Sequence, residues 1–87
     1  MTLEDLFTEL VKRNYTVFLR EKKGEKWIVG GIKDEKTSFK IGSEFQVRIE
    51  NKQFKISYLG KQTVVDEKFD TIEDLLECIE TKFPINT

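Results

Sequence analysis

The chain has 87 residues, 15 of them basic and 16 acidic. That is enough for one domain of two packed layers and too few for a second domain or a deep internal cavity. A net charge of -1 argues neither for a nucleic-acid coat nor for an acidic mimic. Histidine is absent and Cys78 is the single cysteine, which excludes histidine-based triads and dyads, imidazole metal ligands, the usual cysteine zinc sets and an intrachain disulfide.

The charge is unevenly spread. From Asp66 onward seven acids (Asp66, Glu67, Asp70, Glu73, Asp74, Glu77, Glu80) meet two bases, Lys68 and Lys82, so the rest of the chain carries a small positive excess. Neither a signal-peptide pattern nor a long apolar run is present, so a cytoplasmic protein without a membrane segment is expected. The lack of alanine and histidine, with lysine far outnumbering arginine, is the usage of an AT-rich genome. It leans towards a low-GC bacterium, an archaeon, or one of their phages or plasmids.

Taken in order, Thr2 to Arg13 has Leu3, Leu6, Phe7, Leu10 and Val11 at helical spacing, with Thr2 and Asp5 able to form a capping box and Asn14 as a stop. Two β-rich runs follow around a connection at Lys22 to Glu25. Pairing them sets Leu19 against Ile28, Val17 against Gly30 and Tyr15 against Ile32 on one face. On the other, Phe18 faces Val29 and Arg20 faces Trp27, a geometry suited to a cation–π pair. Gly30-Gly31 inside the second strand points to a bulge or a close approach by a packed helix or a ligand backbone, the packed helix being the commoner cause. Lys33 to Lys40 reads as a solvated loop, with Phe39 and Ile41 entering a short strand.

Phe45 to Leu59 reads as a complete hairpin. A two-residue turn at Asn51-Lys52 pairs Ile49 with Phe54, Val47 with Ile56 and Phe45 with Tyr58, all on one face. The other face carries Arg48 beside Lys55, Gln46 beside Ser57 and Glu50 beside Gln53. Gln62 to Val65 gives a short peripheral fifth strand. The last helix starts at Asp70 or Thr71 and runs to about Lys82, burying Ile72, Leu75, Leu76, Ile79 and Phe83 before Pro84 ends it. The expected fold is a single α+β domain over residues 1–87. Its antiparallel sheet has four to five strands in hairpin order, flanked by an N-terminal and a C-terminal helix. Both helices are expected on the face of Val17, Leu19, Ile28, Val47, Ile49, Phe54 and Ile56. A helix on each face is the alternative that Phe18, Trp27 and Val29 would require.

Signals for chemistry are sparse. The carboxylates of the last helix read as capping, dipole complement and a solvated face at Glu73, Glu77 and Glu80. Cys78 lies off the helix stripe, and Glu77 and Glu80 should raise its thiol pKa, so it reads as a partly buried filler. Gly30-Gly31 lacks the spacing and following lysine of a phosphate loop. Arg48 directly opposite Lys55 is the pairing that asks for an explanation, because like charges across a strand pair destabilise it unless an anion relieves them. The bland reading is that both extend into water and Glu44 or Glu50 neutralises them. With Arg20, Trp27 and Lys40 they make the candidate binding set; no catalytic residue, metal or cofactor is expected.

The run Val17-Phe18-Leu19-Arg20-Glu21 on the first strand and Phe69-Asp70-Thr71-Ile72 before the last helix resemble the Src homology two domain. By that resemblance Arg20 is the phosphotyrosine-binding arginine and Arg48 its support. Helix, strands, helix is similar also to the order of the double-stranded RNA-binding domain. The lysine-rich start which that family's last helix needs is here Asp70, Thr71, Ile72, Glu73 and Asp74, of the wrong sign. The functional expectation is a small non-enzymatic protein-interaction module, an adaptor or inhibitor from a mobile element, binding a protein partner through the polar sheet face or a strand edge. The alternative is recognition of an anion, phosphate or nucleic acid by the basic sheet face, including a phosphotyrosine-type pocket.

Overall fold

The computed structural model describes residues 2–33, 39, 42–60 and 62–85. Helix α1 (Leu3–Lys12) leads into five strands, β1 (Thr16–Lys22), β2 (Glu25–Gly31), β3 (Phe45–Glu50), β4 (Gln53–Leu59) and β5 (Val64–Phe69), and helix α2 (Ile72–Lys82) closes the chain. The strands form one antiparallel sheet in the order β1-β2-β3-β4-β5, so every neighbour in space is a neighbour in sequence.

Local chemistry sets the boundaries. Thr2 accepts the Asp5 backbone N–H while the Asp5 carboxylate accepts that of Thr2, the reciprocal cap expected for α1. Asn14 takes φ 69° and turns the chain into β1. Thr71 caps α2 through the Asp74 N–H, and Pro84 follows its C-terminus. Both tight hairpins have two consecutive turn residues with positive φ: Lys23 and Gly24 at 52° and 82°, Asn51 and Lys52 at 50° and 66°. This backbone matches the right-handed twist of the flanking strands.

The β3–β4 register is the one read from alternation, from Phe45 opposite Tyr58 to Glu50 opposite Gln53. Within β1–β2 the ladder runs from Lys22 opposite Glu25 to Thr16 opposite Gly31, so the turn is Lys23-Gly24 alone. Tyr15 does not extend it to Ile32; it still belongs to the exit from α1, its N–H donating to Leu10 O. The fifth strand is longer and later than expected: it starts at Val64, pairs along its whole length with β4 and ends at Phe69 opposite Phe54.

Both helices lie on one face of the sheet, α1 over β1 and β2, α2 over β4 and β5. A single core joins Leu3, Leu6 and Leu10 of α1 and Leu75, Leu76 and Ile79 of α2 to Val17, Ile28, Phe45, Val47, Phe54 and Ile56 of the sheet. Leu19 and Ile49 point to the same side yet remain 41% and 42% exposed. Leu19 is on the edge strand, and Ile49 lies in the row next to the turns, where Lys26 is its neighbour by extension of the β2–β3 register. Tyr15 fastens the far end, its buried hydroxyl donating to Phe83 O at 2.5 Å, just past the end of α2.

Gly30 and Gly31 make room for aromatic rings, not for a helix. A Cβ at Gly30 would stand 2.8 Å from the Phe45 ring, and one at Gly31 would stand 2.6 Å from the ring of Phe39. Phe39 lies in a bend, not a strand, and meets Phe18 edge-on at 6.0 Å on the helix-free side of the sheet. Ile41, and most of the expected loop from Lys33 to Lys40, lie outside the described residues.

Candidate functional site

With both helices on one side, the other face of the sheet is left open. Alternation puts Phe18, Arg20, Trp27, Val29, Gln46, Arg48, Lys55, Ser57, Leu59, Val64, Asp66 and Lys68 on it. The registers then sort these residues into rows running across the strands. One row is Arg20 opposite Trp27, Trp27 beside Arg48, Arg48 opposite Lys55 and Lys55 opposite Lys68. Four cations and one indole thus line up across the whole width of the sheet.

Four of the five residues singled out from the sequence, Arg20, Trp27, Arg48 and Lys55, belong to this row. The fifth, Lys40, lies outside the described residues. Trp27 does carry a cation, but a different one. The Arg48 guanidinium sits 4.7 Å from the indole centroid, whereas Arg20 turns along its own strand to 5.4 Å from the Phe18 ring. Approach from β3 leaves the planar guanidinium free to lie over the indole face.

Lys68 was not legible as part of the site. It enters because β5 continues past Val65, and its signal was masked by Glu67, a charge on the helix side where alternation calls for an apolar residue. Glu67 is tolerated there because Tyr58 Oη donates to it at 2.6 Å and Cys78 Sγ lies 3.6 Å away. Burial and, after it, this carboxylate push the Cys78 thiol pKa up. The expected direction is therefore found with a different carboxylate, since Glu77 and Glu80 are exposed on α2. Tyr58 is raised by the same two causes in the same order.

Two carboxylates approach the row. Glu25 reaches Arg48 at 3.7 Å and Glu50 reaches Lys55 at 3.2 Å, all four side chains being partly exposed. Exposed pairs of this kind hold their partners weakly. The neutralising acids are thus Glu25 and Glu50; Glu44 does not take part. Among the described residues Arg20 and Lys68 have no carboxylate partner. The two like-charge pairs, Arg48 with Lys55 and Lys55 with Lys68, each cost some tenths of a kcal/mol, within the roughly 0.2 to 1 kcal/mol scale of cross-strand pairs.

Beside the cations the open face becomes apolar. Leu59 and Val64 are opposite each other and 64% and 68% exposed. With Val29, Gln46 and Ser57 they line a shallow groove of about 290 Å³. Leu59 and Val64 lie four positions along their strands from Lys55 and Lys68, roughly 13 Å, while the near wall of the groove, Val29, Gln46 and Ser57, lies only two positions, roughly 7 Å, from the cationic row. Ser57 Oγ donates to Asp66 at 2.6 Å between them. The helix layer has the opposite character, with Glu4, Asp5, Glu73, Asp74, Glu77 and Glu80 all exposed. Among the described residues no three carboxylate or thiol side chains converge in a way that could hold a metal ion, and no helix is long and apolar enough to cross a membrane.

Comparison with known proteins returns no matching family model, curated protein or solved structure.

Proposed function

We propose that this chain is a non-enzymatic protein-interaction module whose open sheet face docks a partner segment that is acidic at one end and apolar at the other. The observation that carries the reading is the row Arg20, Trp27, Arg48, Lys55 and Lys68, with the apolar pair Leu59 and Val64 about 13 Å further along the same face across a shallow groove. Tryptophan and arginine are the side chains that most often anchor protein interfaces, and both stand at the middle of the row. Carboxylates arriving there relieve the repulsion among Arg48, Lys55 and Lys68, which gives binding a source of free energy that the free protein lacks.

The test is charge reversal. Arg48→Glu with Lys55→Glu changes only partly exposed side chains, so the circular-dichroism melt stays close to that of the unaltered protein while partner capture is lost. Capture that survives the double reversal removes the open face from consideration.

The two cations without carboxylate partners, Arg20 and Lys68, favour a second reading: recognition of a phosphate-bearing ligand such as single-stranded nucleic acid or a phosphotyrosine peptide. Four phosphate contacts to a single strand predict affinity falling about 50-fold between 50 and 200 mM salt. Titration of oligonucleotides, and separately of a phosphotyrosine peptide, followed by Trp27 fluorescence measures it. A signal that ignores salt, or no signal, rejects this reading.

A further inference from the structure

The two edges of the sheet are not equivalent. β5 carries Glu67 inward and Asp66 and Lys68 outward, and such charges are what keep an edge from accepting another strand. β1 lacks this protection over its first half. Phe18 on the open face and Leu19 on the helix face are adjacent in sequence and 42% and 41% exposed. Arg13, which bonds Glu80 at 2.7 Å, marks the flank of α1 that faces α2. At 100° per residue Phe7 and Val11 occupy the opposite flank, towards the β1 edge, and Val11 is 50% exposed. Exposed apolar side chains therefore flank this one edge on both sides, Phe18 on the open face and Leu19 with Val11 on the helix face.

We propose that the β1 edge is a self-association surface at which a second copy of this chain adds its own β1 antiparallel, joining two five-stranded sheets into one of ten strands. The proposal is independent of the function assigned to the open face. Lys22 and Glu25 flank a two-residue turn and form a hydrogen-bonded pair, so by the antiparallel alternation Val17, Leu19 and Glu21 direct their N–H and C=O groups to the free edge. Opposed residues in such a dimer must share a face, so its twofold axis passes through one residue of β1. Centred on Arg20, it sets two guanidinium groups against each other. Centred on Leu19, it sets Glu21 against the partner's Val17. Centred on Phe18, it pairs Phe18 with its own copy and Val17 with the partner's Leu19, and places Arg20 beside the partner's Thr16. Only the last arrangement sets every apolar residue against an apolar one and no charge against its like.

Sedimentation velocity from 5 to 500 µM tests the association, and cysteine cross-linking tests the register. The expected result is a doubling of mass with concentration, abolished by Leu19→Lys at an unchanged thermal melt. In a Cys78→Ser background, Phe18→Cys is expected to oxidise to a covalent dimer and Arg20→Cys is not, because only the former faces its own copy at a distance a disulfide can span. The cross-link reads the same contact should Leu19→Lys fail to fold. A chain that stays monomeric to 500 µM, a dimer indifferent to Leu19→Lys, or equal cross-linking at both positions overturns the proposal.

Discussion

At the scale of single residues, the helix-side core is closed by contacts that leave no spare room. Gly30 is the clearest case, with the Phe45 ring at 2.8 Å and a Val17 methyl at 2.9 Å from where a Cβ would sit, both neighbours being buried. Gly30→Ala is therefore expected to cost about 1–3 kcal/mol by overpacking, read from a denaturant melt; an unchanged midpoint would show that the ring can move aside. Cys78 tests the polar corner. Burial and Glu67 raise its pKa, so the folded state holds the thiol proton at pH values where the unfolded chain releases it. The stability this confers is complete below the unfolded thiol value of about 8.5 and is lost as pH rises through the higher folded value. Tyr58, raised for the same reasons, extends the loss to more alkaline pH. The melting temperature should fall above about pH 8.5, and Cys78→Ser should delay the fall; coincident pH profiles for the two proteins would contradict it.

At the scale of elements, the two tight turns suit the sheet's twist, but each does so with a lysine at positive φ, Lys23 at 52° and Lys52 at 66°. Asn51 and Lys52 both adopt positive φ. Asparagine tolerates this; lysine pays roughly 1–2 kcal/mol for it, against about 0.5–1 kcal/mol of extra backbone entropy lost by glycine. Lys52→Gly should raise stability by up to about 1 kcal/mol, measured by chemical denaturation, and a loss of stability would mean that Lys52 contributes through its side chain. The same hairpins explain what could be read in advance. Apolar alternation on both sides of a short turn determines register unaided, so Val47 opposite Ile56 and Leu19 opposite Ile28 were legible. The β2–β3 register was not, because the connection between them is long. Hence nothing in the sequence could say that Arg48, and not Arg20, would lie over Trp27. The full extent of β5 is not legible either, because Glu67 breaks alternation, and its inward placement depends on donors from β4 and α2 that only the folded molecule supplies.

At the scale of the whole molecule, the layers divide the charge. Helices α1 and α2 hold exposed acids, and the open sheet face holds the cationic row with the Leu59–Val64 groove beside it. A near-zero net charge conceals this division, so composition alone argued for no partner in particular. Under the proposed function an acidic ligand is attracted by one face and repelled by the other, which makes the two faces each other's control. The most direct measurement is affinity capture from a nuclease-treated lysate of the source cells by three immobilised proteins. These are the unaltered chain, the Arg48→Glu/Lys55→Glu variant and a helix-face variant, Glu73→Lys/Glu77→Lys, with partners identified by mass spectrometry. The prediction is a discrete protein held by the unaltered chain and the helix-face variant and lost by the sheet-face variant. Retention by the sheet-face variant with loss by the helix-face variant would contradict the account and move the binding surface to the helices.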